Sequence, residues 1–120
     1  MKQTLFYKKN NEIMTEIYVD HNKETVNIKN YTNDMLDRAF GNNEYPSYKD
    51  FEDFLEERCF PRNRDKMKLH LRQLELDYYD PYQIVRKTGG KLEGDSYSIV
   101  FDDQLKEDNY EYEGEEEYEA

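Results

Sequence analysis

The side chains of this 120-residue chain best suited to nucleophilic, proton-transfer or metal chemistry near neutral pH are Cys59, His21 and His70. They are too few and too scattered for a zinc site, which takes three or four ligands and commonly a C-x-x-C pair. Cys59 and His70 could in principle form a thiolate–imidazole pair. Against that, Phe51, Phe54, Leu55 and Cys59 recur at i, i+3, i+4 and i+8, the stripe of a helix face turned to a core. A cysteine in such a stripe is packing rather than a nucleophile. The segment "TGGKLEGDS" has glycines but lacks the G-K-[ST] ending of a phosphate loop, so Gly89 and Gly90 read as a helix stop and turn. With 28 Asp and Glu residues, no single carboxylate pair stands out as an acid–base dyad. The expectation is a protein with no catalytic residues, no cofactor and no metal.

Charge is the stronger signal. The net charge of −11 is unevenly spread. Residues 102–120 hold ten acids (Asp102, Asp103, Glu107, Asp108, Glu111, Glu113, Glu115, Glu116, Glu117 and Glu119) against one base, Lys106. Residues 1–101 hold eighteen acids against sixteen bases and are nearly balanced. The end of the chain, "NYEYEGEEEYEA", interleaves Tyr110, Tyr112 and Tyr118 with the glutamates. A field of this sign repels bare nucleic acid and anionic membrane and attracts basic protein surfaces. A second constellation lies in the middle. Asp50, Glu52, Asp53, Glu56 and Glu57 come without a base, followed by Arg58, Arg62, Arg64, Lys66, Lys68 and Arg72 with one acid, Asp65. Helix electrostatics accounts for part of this order. Either the two groups pair as solvated faces, or the bases form a patch that contacts phosphate or holds the acidic tail. No aromatic stacking platform accompanies them.

These groups have to be positioned by a small core rich in Tyr and Phe. "TLFYKK", "IMTEIYVD" and "TVNIKN" read as three antiparallel strands. In the second, Ile13, Thr15, Ile17 and Val19 share one face and Met14, Glu16, Tyr18 and Asp20 the other. "NDMLDRAFG" predicts one or two helical turns. "SYKDFEDFLEERCF" predicts a helix capped by Ser47 with Asp50 three residues on, ended by Pro61. A second helix over 64–75, capped by Asn63, would turn Met67, Leu71 and Leu74 inward. A third starts with Asp80 as cap and Pro81 at the first position, and turns Ile84 and Val85 inward. "DSYSIVF" reads as a last strand. Beyond Phe101 the periodicity stops and the composition predicts disorder. The fold class is therefore α+β: a single domain over 1–101 with a small N-terminal antiparallel β-meander, three to four short helices and one C-terminal strand, followed by a disordered acidic tail over 102–120. No apolar run approaches the ~18 residues of a membrane span. A lone cysteine excludes an internal disulfide, and the charged start shows no leader, so a cytoplasmic location is expected.

Arg58, Phe60, Pro61 and Arg64, the spacing of Leu71 and Leu74, and Lys87, Gly90, Asp95, Tyr97 and Ile99 together form a pattern over residues 54–101. It resembles small uncharacterised proteins of Gram-positive bacteria and their mobile elements. More distantly it is similar to the segment preceding the kinase in HipA-like toxin proteins, although Ser98 stands where those often carry Trp. The resemblance brings no active site and implies an accessory-gene origin, the setting of anti-CRISPR and other DNA-mimic inhibitors. The expected function is a small acidic binding protein that occupies a basic, nucleic-acid-binding surface of a bacterial effector. Tail carboxylates would release that surface's counterions as DNA does, and tyrosines would stack on its arginines. The alternatives are an interaction module of a toxin–antitoxin or regulatory operon acting through the folded body, weak nucleic-acid binding through the basic patch, and a tail that only solubilises.

Overall fold

Alternation in the first strand turns Gln3, Leu5 and Tyr7 inward and leaves Thr4, Phe6 and Lys8 on the other face. The computed structural model describes residues 1–62 and 65–104. Within them the elements run β1 (Lys2–Lys9), β2 (Glu12–Asp20), β3 (Thr25–Asn30), α1 (Tyr48–Glu57), α2 (Met67–Gln73), α3 (Pro81–Thr88) and β4 (Tyr97–Phe101). The strands form one antiparallel sheet in the order β3-β2-β1-β4. β4 thus returns from the helices to lie beside the first strand. The fold is α+β, with α1 and α3 contributing to the core on one face of the sheet.

Phe51, Phe54 and Leu55 of α1 and Ile84 and Val85 of α3 pack with Leu5, Ile17, Ile99 and Phe101 of the sheet. Side chains of this size stabilise by about 1.5–3 kcal/mol each when fully buried. Both helices start as their sequences dictate. Ser47 and Asp50 form both bonds of a capping box. Asp80 accepts from the Tyr82 amide, Pro81 opens α3, and Gly89 ends it in the left-handed region at φ 75°.

Three expectations are corrected. The alternation of β2 breaks at Met14, because Tyr7 pairs with Thr15 but Lys8 pairs with Ile13. Met14 is the extra residue of a β-bulge, so Ile13 and Thr15 lie on opposite faces. Residues 33–41 form turns instead of a helix. Thr32 and Asp34 side chains accept from the Asp34 and Leu36 amides, and Ala39 N–H donates to Thr15 Oγ1. Such local bonds compete with a helical ladder. Finally, α2 begins at Met67, after Lys66 in the left-handed region (φ 60°) with no side-chain cap, and the expected cap Asn63 lies outside the described residues.

The outer edge of β4 is closed by its own chain. Tyr97 N–H donates to Asp95 Oδ1 (3.1 Å), Ile99 N–H to Gly89 O (2.7 Å) and Phe101 N–H to Gln104 Oε1 (3.1 Å). β3, at the other margin, has no strand on its outer side among the described residues.

Candidate functional site

The expected basic patch is not one surface. Arg58, at the C-cap of α1, is turned inward and buried. Its guanidinium forms a bidentate pair with Asp95 (3.0 and 3.2 Å) and donates to Gly90 O (2.9 Å) and Tyr97 O (3.3 Å). It also lies against the stacked rings of Tyr7 and Tyr97. A planar five-donor group suits this spot, because it satisfies two backbone carbonyls and a carboxylate together. Arg58 therefore has a structural role and is withdrawn from the patch. Gly90, Asp95 and Tyr97 thus surround Arg58, and Ile99 packs beside Gly90.

Arg62 is exposed but engaged. It pairs with Glu56 (3.1 Å) and stacks on Tyr79 at 4.5 Å. Arg64 lies outside the described residues. Lys66, Lys68 and Arg72 are exposed, and none of them forms an ion pair among the described residues. Asp65, Glu75 and Asp77 lie close by in sequence, so even this remnant is mixed in charge.

The boundary of the acidic tail also moves. Asp102 and Asp103, assigned to it, belong to the folded body. Asp102 Oδ2 accepts from Thr4 N–H (3.3 Å), and Asp103 forms a bidentate pair with Arg86 (2.7 and 3.2 Å). The Arg86 hydrogen bonds hold the Asp103 carboxyl below the usual range. Gln104 is pinned in turn, donating to Arg86 O and accepting from Phe101 N–H. Glu107, Asp108, Tyr110, Glu111, Tyr112, Glu113, Glu115, Glu116, Glu117, Tyr118 and Glu119 lie outside the described residues.

A groove of about 500 Å³ runs between α1, the start of α3 and His21. Glu52, Asp53 and Glu56 line it, but Lys49 pairs with Asp53 and Arg62 with Glu56. Its floor is a hydrogen-bonded knot that the sequence did not announce. Tyr82 donates to Gln3 Oε1 (2.5 Å), which lies 3.3 Å from His21 Nε2, and His21 Nδ1 lies 2.9 Å from the Tyr48 hydroxyl. Since Gln3 Oε1 can only accept, His21 Nε2 carries the proton and Nδ1 accepts from Tyr48. Burial first, and the N-terminal amino group second, lower the His21 pKa and favour this neutral form. Both ring nitrogens are thus occupied within the protein.

Cys59 is buried as expected, but α1 ends at Glu57 with Arg58 as its C-cap, so the cysteine lies just past the helix and not on it. Its Sγ lies 3.2 Å from Leu55 O, and burial pushes the thiol up to about 12. His70 instead lies beside Phe60, the ring centroids 5.5 Å apart and the planes tilted by 40°. Among the described residues no group of three His, Cys, Asp or Glu side chains could hold a metal ion, and no helix is long and apolar enough to cross a membrane. No protein-family model, curated protein or solved structure matches the chain.

Proposed function

We propose that the protein is a non-enzymatic binding protein whose acidic C-terminal segment occupies a basic, nucleic-acid-binding surface of a partner protein, as DNA-mimic and anti-CRISPR-like inhibitors do. The observation that carries this reading is the partition of charge. The ion pairs Lys9–Asp37, Lys49–Asp53, Arg58–Asp95, Arg62–Glu56 and Arg86–Asp103 balance much of the folded body internally. Residues 105–120 still hold eight acids against one base, Lys106. Carboxylates in such a run displace counterions from a Lys/Arg-lined cleft, and the tyrosines among them supply faces for arginine. The test is a chain ending at Gln104, which keeps the bonds of Asp102, Asp103 and Gln104 that a cut after Phe101 destroys. It should fold normally and lose capture of basic, nucleic-acid-binding proteins. Capture by the full chain should weaken steeply with salt. A chain ending at Gln104 that binds as well as the full chain refutes the proposal.

A second reading rests on Lys66, Lys68 and Arg72, exposed without ion-pair partners among the described residues. An interaction module of a toxin–antitoxin or regulatory operon could bind through this side of α2. Charge reversal at Lys68 and Arg72 would then abolish complex formation while loss of residues 105–120 would not.

A further inference from the structure

We propose that the groove around the outer edge of β4 is a docking site for the chain's own acidic segment, centred on residues 107–117. The groove has a volume of about 750 Å³ and is lined by Lys8, Asn11, Arg86, Lys91, Ser98 and Gln104, among others. It wraps the sheet margin from the loop after α3, which brings Lys91, to the open sheet face, which brings Lys8. Arg86 is committed to Asp103, and the acid of the groove, Asp95, is committed to Arg58. Lys8 and Lys91 form no ion pair among the described residues, so the groove presents two uncompensated cations.

The occupant follows from where the chain goes. Gln104 is fixed at the groove, so residue 105 starts at its mouth. β4 is five residues long, about 17 Å. Residues 105–111 cover about 23 Å when extended, which carries Glu107, Asp108 and Glu111 along the edge with chain to spare. The segment is also tethered, and a short flexible tether gives an effective concentration in the millimolar range, enough to populate a weak electrostatic contact. The outward N–H groups of β4 already have acceptors. The segment therefore docks through side chains and charge and not as an added strand. Half-buried Leu92 and Val100 offer apolar surface to Tyr110 and Tyr112. A contact of this kind is salt-labile and exchangeable, so a basic partner surface competes with the protein's own lysines for the same carboxylates. This inference concerns the chain alone and does not rest on the partner proposed above.

The experiment compares the isotope-labelled full chain with the chain ending at Gln104, without any partner. Amide shifts of Lys8, Asn11, Lys91 and Ser98 should differ between the two at low salt. The differences should vanish near 1 M salt, where the screening length is about 3 Å. A zero-length carbodiimide cross-linker should join Lys8 or Lys91 to Glu107–Glu117 within the monomer, and the double variant K8E/K91E should lose these links. If that variant does not fold, Glu111→Gln with Glu113→Gln in the full chain should lower their yield severalfold. Unmoved amides, or cross-links spread equally over Lys23 and Lys29, overturn the proposal. Loss of partner capture with the cross-links intact would instead count only against the proposed function.

Discussion

Replacing Arg58 by Ala removes a side chain that is 9% exposed and makes four hydrogen bonds. Breaking a buried ion pair by deleting one partner costs about 3–5 kcal/mol. Asp95 is 30% exposed, so water can reach the abandoned carboxylate and the pair's share falls toward the lower end. The Gly90 carbonyl is buried, and losing its donor adds about 1–3 kcal/mol. A net loss of about 4–6 kcal/mol is expected, a large part of the ~5–15 kcal/mol that holds a domain together. At ~4 °C per kcal/mol that is a fall in Tm of at least ~16 °C. Urea unfolding followed by far-UV circular dichroism measures it, with Lys68→Ala as an exposed control expected within ~0.5 kcal/mol of the parent. Asp95 adds a pH signature. Its carboxyl is held low first by the Arg58 hydrogen bonds and then by the Tyr97 amide. This stabilisation is present above the unfolded value of about 3.9 and is lost as pH falls through the lowered value, so Arg58→Ala should flatten the acid limb of the stability profile. If the Arg58 variant is as stable as the Lys68 control, the guanidinium does not organise this corner and the reasoning fails.

A Cβ on Gly90 would lie 3.0–3.3 Å from Ile99 atoms at φ 64°, whereas one on Gly94 would meet nothing within 4 Å. Gly90→Ala should therefore cost about 3 kcal/mol, from left-handed strain plus overpacking, and Gly94→Ala only the ~1–2 kcal/mol of strain; equal losses by thermal melting would contradict the packing described. Cys59 should resist a thiol reagent at pH 8 until urea unfolds the protein, because burial pushes it up to about 12; rapid stoichiometric labelling of the native state would be incompatible with its placement. The His21 pKa is lowered by folding, so its contribution is complete above the unfolded value near 6.5 and declines as pH falls from there through the lowered value. Stability should drop over that window and His21→Asn should remove the slope, while a nitrogen shift typical of a protonated Nδ1 would reverse the tautomer assigned here.

What the sequence disclosed and what it hid follow one division. Signals confined to a few neighbouring residues came through: Ser47 with Asp50, Asp80 with Pro81 and Gly89, and the apolar stripe Phe51–Leu55 appear as read. Features that depend on distant residues did not. Arg58 shows its charge in the sequence but not its burial, since Asp95 is 37 residues away. The His21 knot joins Gln3 to Tyr82 across 79 residues. The segment 33–41 has the spacing of a helix, yet its Ala39 amide and its Asp37 carboxylate answer to Thr15 and Lys9 of the sheet. Asp103 reads as one more tail acid until Arg86 is seen opposite it.

The three hydrogen bonds along β4 also bear on how molecules of this kind meet one another. An endless ladder of strands requires two adhesive margins on every molecule. Here Asp95, Gly89 and Gln104 accept the outward amides of one margin from within, leaving, among the described residues, the side of β3. Two copies joined there by a two-fold axis would consume both open margins and expose only sealed ones. Strand-mediated self-association of the folded body would therefore terminate at a pair, with the short last strand as a stopper against fibrous growth.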